Sequence, residues 1–219
     1  MDKVSENPLK NRNVKYLLVV AALYVTLYVT ANMMSVRIFA VGSLFCVDAG
    51  TLVFPFIYVF GDVINELWGL KVSRHVIVTA FICNVLFVGL CCVAAILPHP
   101  EYMDATAEAY EVVFGFAPRI VLGSITGFLI GALLNAQIFN MIKKLTGGRC
   151  LWLRAITSSV MGLLFDTIPF ALVAFAGIVT WHDITAIVAV NFIMKTVIEI
   201  GVGTPVVYFI VRKIRKRTV

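Results

Sequence analysis

Two carboxylates stand four residues apart in an otherwise apolar stretch, Phe54-Pro55-Phe56-Ile57-Tyr58-Val59-Phe60-Gly61-Asp62-Val63-Ile64-Asn65-Glu66-Leu67-Trp68-Gly69. On a helix this spacing puts Asp62 and Glu66 on one face, with Asn65 three residues on from Asp62. Holding one charge in hydrocarbon costs at least about 2.5–3.5 kcal/mol, so two in one segment imply a use. A carboxylate in such a place can accept two neighbouring N–H donors at once or carry a proton. Further along, Asn191, Lys195 and Glu199 recur every fourth residue as one polar stripe, in which Lys195 and Glu199 can pair. Ser158, Gly162, Asp166 and Pro169 share a face, with Asp166 beside a proline that frees carbonyls. Buried acids and bases of this kind line pathways by default, although an ion pair that only fixes helix packing would use the same residues.

The elements that must position these groups are membrane spans. The chain has 219 residues, 61% of them hydrophobic and 14% charged, and its mean hydropathy is +0.97. Such usage excludes an ordinary soluble domain. Runs of about 20 apolar residues predict six spans: Tyr16 to Val36, Gly50 to Leu67, Val76 to Leu97, Ile120 to Ile142, Leu151 to Val179, and Ile184 to Val211. The last two are long, with Pro169 and Pro205 as expected kink points. No cleavable leader is apparent, because the first 15 residues are polar and a full-length span follows. Of 18 basic residues, 15 fall in the N-terminal segment, residues 71–74, residues 143–154 and the tail. The positive-inside rule makes these regions, and both termini, cytoplasmic. The expected organisation is therefore one all-α integral membrane domain: a cytoplasmic segment 1–15, a six-helix bundle 16–211 and a basic tail 212–219 that can also touch anionic lipid. Residues 37–49, around Gly42-Ser43, predict a short outer hairpin or re-entrant segment between the first two helices. Glu101 to Phe116 predicts an interfacial helix with its acids outward.

Other signals are structural or absent. Gly123, Gly127 and Gly131 make a small-residue face for close packing against another helix or another subunit, compatible with a homodimer; Asn135 and Gln137 follow it and could reach a cavity. Arg119-x4-Ser124-x2-Gly127 is echoed by Arg154-x4-Ser159-x2-Gly162 on the next span, a short hint of inverted duplication. The aromatics Phe54, Phe56, Tyr58, Phe60, Trp68, Phe165 and Phe170 flank the acids; most are expected to face lipid or core, and some could stack on a planar ligand. The five cysteines, Cys46, Cys83, Cys91, Cys92 and Cys150, have neither metal-ligand nor disulfide spacing. No metal, cofactor or nucleic-acid partner is expected. The sequence holds no P-loop, no H-E-x-x-H and no G-x-S-x-G, which leaves an intramembrane enzyme without a catalytic constellation.

Ala49-Gly50-Thr51-Leu52-Val53-Phe54-Pro55, followed by Asp62-x3-Glu66-x-Trp68-Gly69 and a basic loop, resembles the signature of the queuosine-precursor transporters, also called the vitamin uptake transporter family. Leu151-Trp152-Leu153-Arg154, Asp166, Lys195, Glu199 and Pro205 extend the likeness, and Trp68 stands where the family more often has Tyr. The resemblance implies a multi-pass importer of the bacterial inner membrane. Its substrate would be 7-cyano- or 7-aminomethyl-7-deazaguanine or queuine, precursors of a modified tRNA base, taken up without an ATPase of its own. The ligand's adjacent N1–H and amine suit a carboxylate, and a cationic form wants a second. Asp62, Glu66 or Asp166 would then read the guanine edge. Asn65 lies on the same face, Lys195 and Glu199 shape or gate the site, and Asn191 and Ser158 add neutral hydrogen bonds. Glu66 could instead hold an inner gate with Lys71 or Arg74. Competing readings are the substrate-binding subunit of an energy-coupling-factor importer, and a channel or scaffold whose acids only pair with Arg37, Arg119 and Lys195.

Overall fold

In hydrocarbon a backbone must satisfy its own hydrogen bonds, and the apolar runs do so as helices. A computed structural model describes residues 12–41, 45–114, 118–177 and 180–218. Lys3, Lys10 and most of the expected cytoplasmic segment 1–15 lie outside these residues, as do Gly42-Ser43 at the expected hairpin tip, Phe116 and Val179. The order is α1 (Arg12–Ser35), β1 (Ile38–Val41), β2 (Phe45–Asp48), a short 3₁₀ turn (Ala49–Leu52), α2 (Phe54–Ala95), α3 (Asp104–Phe114), α4 (Pro118–Leu145), α5 (Leu151–Phe175), α6 (Trp181–Ile198), a π turn (Glu199–Gly203) and α7 (Thr204–Thr218). The two strands pair antiparallel, Ile38 opposite Asp48 and Val41 opposite Phe45.

Among the described residues, five helical stretches are long and apolar enough to cross a membrane: Asn13–Ser35, Ala49–Ala95, Leu122–Leu145, Leu151–Val173 and Ile184–Lys216. The sequence reading counts six because it ends one span at Leu67 and starts the next at Val76. The structure carries helix through that interval, so Lys71 and Arg74 ride on helical residues rather than on a loop. The 42 residues of α2 would reach about 63 Å as one rod, twice the thickness of hydrocarbon. One residue interrupts them: Gly69, with φ 85° and ψ 171°, a backbone state that a side chain resists. At the two expected kink points the helices behave differently. Pro169 is carried inside a continuous α5, whereas the π turn immediately precedes Thr204-Pro205.

The most extensive helix pairing is α4 with α5. Its cause is the run of small residues on α4. A Cβ added to Gly131 would lie 2.5 Å from the Gly162 carbonyl oxygen and 2.6 Å from the Tyr58 hydroxyl, so only glycine admits this approach. Gly127 meets the Asp166 carbonyl in the same way. The small-residue face offered for a homodimer is thus occupied by a helix of the same chain. On the other side of α4, Phe128 stacks on Tyr28 of α1 at 3.6 Å between ring centroids, and Val59, Val63, Val207 and Val211 complete the interior. Ile82, Leu86, Leu90, Ile193 and Val197 point outward, where lipid is the expected solvent.

Candidate functional site

Four helices carry polar residues along one line each, and the lines meet. On α2 and the turn before it they are Thr51, Tyr58, Asp62, Asn65 and Glu66; on α4, Asn135 and Lys143; on α5, Arg154, Ser159 and Asp166; on α6 and the π turn, Asn191, Lys195 and Glu199. Apart from Tyr58, which is also buried, and Lys143, all are buried polar or charged residues. From Thr51 to Glu66 the line spans about 22 Å of helix, most of the depth of a hydrocarbon core.

At the end near the strands, Asp48 caps the 3₁₀ turn: its Oδ1 accepts from Thr51 N–H at 3.1 Å and from the Ser35 hydroxyl at 2.9 Å. Thr51 Oγ1 lies 2.9 Å from Asp48 Oδ2 and 3.3 Å from Asn191 Oδ1, two acceptors for its single proton. One layer deeper, Lys195 Nζ donates to Asp166 Oδ2 at 2.9 Å and sits 4.4 Å from the centroid of the Phe54 ring. The Lys195–Glu199 pair suggested by their spacing is not the one formed. Lysine reaches across to α5, and Glu199 accepts from Ser159 Oγ at 3.0 Å.

The middle layer is different in kind. Asn135 Nδ2 donates to Asp62 Oδ1 at 2.9 Å, and Asn65 Nδ2 to the Ala136 carbonyl at 2.7 Å. That leaves the Tyr58 hydroxyl, Asp62 Oδ2, Asn65 Oδ1, Asn135 Oδ1 and Glu199 Oε2 buried and without a hydrogen-bond partner among the described residues. Four of the five can only accept while the carboxylates are ionised. Beside them Tyr24, Tyr58, Gly61, Phe128 and Asn135 enclose a cavity of about 10 Å³, no more than one water requires.

The last layer lies where the basic segments converge. Glu66 accepts from Arg154 Nη2 at 2.7 Å, pairs with Lys143 Nζ at 3.0 Å, and is bonded by Arg215. Arg154 also donates to the Gly148 and Arg149 carbonyls at 3.0 and 3.1 Å, and stands 5.3 Å from the Phe139 ring centroid. This corrects the expected partners of Glu66: Lys71 and Arg74 are exposed on helix beyond the Gly69 break, while α4, α5 and α7 supply the cations. Arg154 is accordingly a buried residue one turn inside α5, not a loop cation.

Of the eight predicted site residues, Asp62, Asn65 and Glu199 contribute to the acceptor-rich middle layer, Asp166 and Lys195 form the pair above it, and Glu66 forms the cluster below. Asn191 belongs to the Thr51–Asp48 network. Ser158 is turned into its own helix, donating to the Ala155 carbonyl at 3.2 Å, and it is its neighbour Ser159 that reaches a buried acid, donating to Glu199. Gln137 is exposed, and Arg37 also lies at the surface. The side chain of Arg119 lies outside the described residues. Sequence reasoning missed Tyr58 as a polar group, Arg154, Lys143 and Arg215. The recurrence of polar or aromatic residues at 135, 139 and 143 was the available signal for α4.

A family profile described as "Putative vitamin uptake transporter" matches residues 48–210. The chain is 32% identical over 130 residues to a protein of Bacillus subtilis (strain 168) named "Probable queuosine precursor transporter", covering 59% of this chain and 56% of that one. It is 26% identical over 134 residues to a protein of the same name from Haemophilus influenzae, covering 58% and 51%. A third, the "Queuosine precursor transporter" of Escherichia coli (strain K12), is 23% identical over 176 residues, covering 77% and 74%. The chain thus spans about half the length of the first two of these relatives. No solved structure matches it.

Proposed function

The chain belongs to the vitamin uptake transporter family, and from that premise we propose that it imports a queuosine precursor across the bacterial inner membrane. The observation that carries this reading is the middle layer: five buried oxygen atoms, on α2, α4 and the π turn, without hydrogen-bond partners among the described residues. Buried acceptors without donors are costly, at about 1–3 kcal/mol each, and a donor-rich ligand relieves them. A 7-deazaguanine offers N1–H and an exocyclic amine side by side, which one ionised carboxylate accepts together. Asp62 is assigned that edge. Glu199 takes the cation of an aminomethyl or queuine form, Tyr58 and Phe54 flank the ring, and Asn65 and Asn135 complete the hydrogen bonds.

A bicyclic base needs far more room than about 10 Å³, so binding parts the helices. The Asp166–Lys195 pair on one side of the layer and the Glu66 cluster on the other are the contacts that hold it closed. In this reading α2 crosses twice, turning at Gly69, for six crossings in all, and the basic ends are cytoplasmic. The membrane potential favours inward movement of a cationic ligand by about 2.3 kcal/mol per charge per 100 mV, so facilitated diffusion suffices energetically. Coupling to protons would show as inhibition by a protonophore of the uptake of a neutral precursor.

The test uses cells unable to make the precursor, with queuosine in tRNA as the readout and 7-cyano-7-deazaguanine, 7-aminomethyl-7-deazaguanine and queuine supplied in turn. Asp62→Asn keeps the Asn135 contact and loses the charge-assisted acceptor. Uptake should fall at least tenfold at equal expression, the loss of about 1.4 kcal/mol or more. Unchanged uptake would remove Asp62 from the site. The alternative, a binding subunit of an energy-coupling-factor importer, is excluded if the purified chain alone fills liposomes.

A further inference from the structure

At the basic end a groove of about 640 Å³ opens between the start of α5 and the end of α7. Arg154, Arg212, Arg215 and Lys216 line it with a single acid, Glu66. Both oxygens of that acid are already taken, by Lys143 and Arg154 on one and Arg215 on the other. Arg212 and Lys216 are exposed, and no carboxylate pairs with either among the described residues. Among the described residues the wall therefore carries a surplus of positive charge.

Three further features give the surplus a direction. Cys150 precedes α5 without a side-chain cap, leaving the partial positive charge of the helix start beside the groove, where Trp152 N–H donates to Tyr208 Oη at 2.9 Å. Arg154, buried and lining the groove, keeps its Nε without a partner among the described residues. Trp152 and Tyr208 line the groove, and their neighbours along the chain, Leu153 and Phe209, are exposed. Cations at the mouth, an unused guanidinium N–H inside, and Trp and Tyr at the level of the interface are what a phosphate joined to acyl chains requires.

We propose that this groove binds the headgroup phosphate of an anionic phospholipid, with Arg212 and Lys216 as its principal cations and the acyl chains passing over Leu153 and Phe209. A free phosphate would use the same cations without needing Leu153 and Phe209, and that difference separates the two sources.

The experiment titrates the purified full-length chain, in neutral detergent, with fluorescent phosphatidylglycerol or phosphatidylcholine. Phosphatidylglycerol should bind and phosphatidylcholine should bind at least tenfold more weakly. Arg212→Gln with Lys216→Gln removes two cations at about fivefold each, for roughly a 30-fold loss. The charge-keeping pair Arg212→Lys and Lys216→Arg should retain binding. Millimolar inorganic phosphate should not displace the lipid. Should the double glutamine variant fail to fold, each single variant is expected to lose about fivefold on its own. Equal binding of the two lipids, an unaffected glutamine variant, or displacement by inorganic phosphate would each overturn the proposal.

Discussion

Glu66 and Arg154 offer the sharpest test of the arrangement. Both side chains are almost fully enclosed, at 1% and 2% exposed, whereas the other two cations on Glu66 are not, Lys143 at 29% and Arg215 at 59%. When Glu66 is replaced by Gln, Lys143 and Arg215 can turn to water and Arg154 cannot. Removing one partner of a buried pair costs about 3–5 kcal/mol, because the survivor stays charged and uncompensated. Arg154 keeps its bonds to the Gly148 and Arg149 carbonyls, which places Glu66→Gln near the low end, at about 3 kcal/mol. Arg154→Met should cost a similar amount by stranding Glu66 with only its two hydrated cations. The double variant Glu66→Met with Arg154→Met removes both charges at similar volume and should recover most of the loss. Equilibrium unfolding in mixed micelles measures all three, and the coupling between the sites should be 2 kcal/mol or more in favour of the double variant. Single variants within about 0.5 kcal/mol of the parent, or a double variant whose loss is the sum of the singles, would refute the claim that this pair is dry and mutually dependent.

Lys195 permits a similar choice between two partners. Lys195→Met should destabilise the chain by about 3–5 kcal/mol, and Asp166→Asn in the same chain should rescue it in the same unfolding assay. Rescue by Glu199→Gln instead would restore the pairing that the spacing suggested. Gly131→Ala should cost about 1–3 kcal/mol by crowding the Tyr58 hydroxyl and the Gly162 carbonyl, and Gly131→Leu should abolish the monodisperse peak on size exclusion in detergent. A well-behaved Gly131→Leu protein would mean that α4 and α5 do not approach as closely as described.

Much of the fold was legible because lipid leaves so few choices. Apolar runs of sufficient length must be helices, and polar groups at every fourth position must share a face, which is how Asp62, Glu66, Lys195 and Glu199 stood out. What sequence could not provide was the partner of each charge. Lys71 and Arg74 are the nearest cations to Glu66 along the chain, yet Gly69 turns the backbone away between them, and the true partners lie on three other helices. Arg154 was counted with the basic segment 143–154 that sets orientation, although it falls inside the span from Leu151, and one turn of α5 suffices to bury it. Ser158 and Ser159 differ by about 100° around a helix, and only packing decides which one meets Glu199. The six-span count separated two helices that the chain joins by a single residue in an unusual backbone state.

The π turn couples two places that have been described separately. Glu199, its first residue, belongs to the middle layer, and the rod that follows it, α7, ends with Arg215 on Glu66. A π turn stores one residue more than an α turn. Converting it to α geometry would swing α7 about its axis by roughly 100° and slide it by about 1.5 Å relative to α6. Arg215 lies sixteen residues beyond Glu199 on that rod, so it could not keep its hold on Glu66 through such a turn. The backbone state around the central carboxylate and the integrity of the cation cluster at the basic end are therefore two readings of one mechanical coordinate.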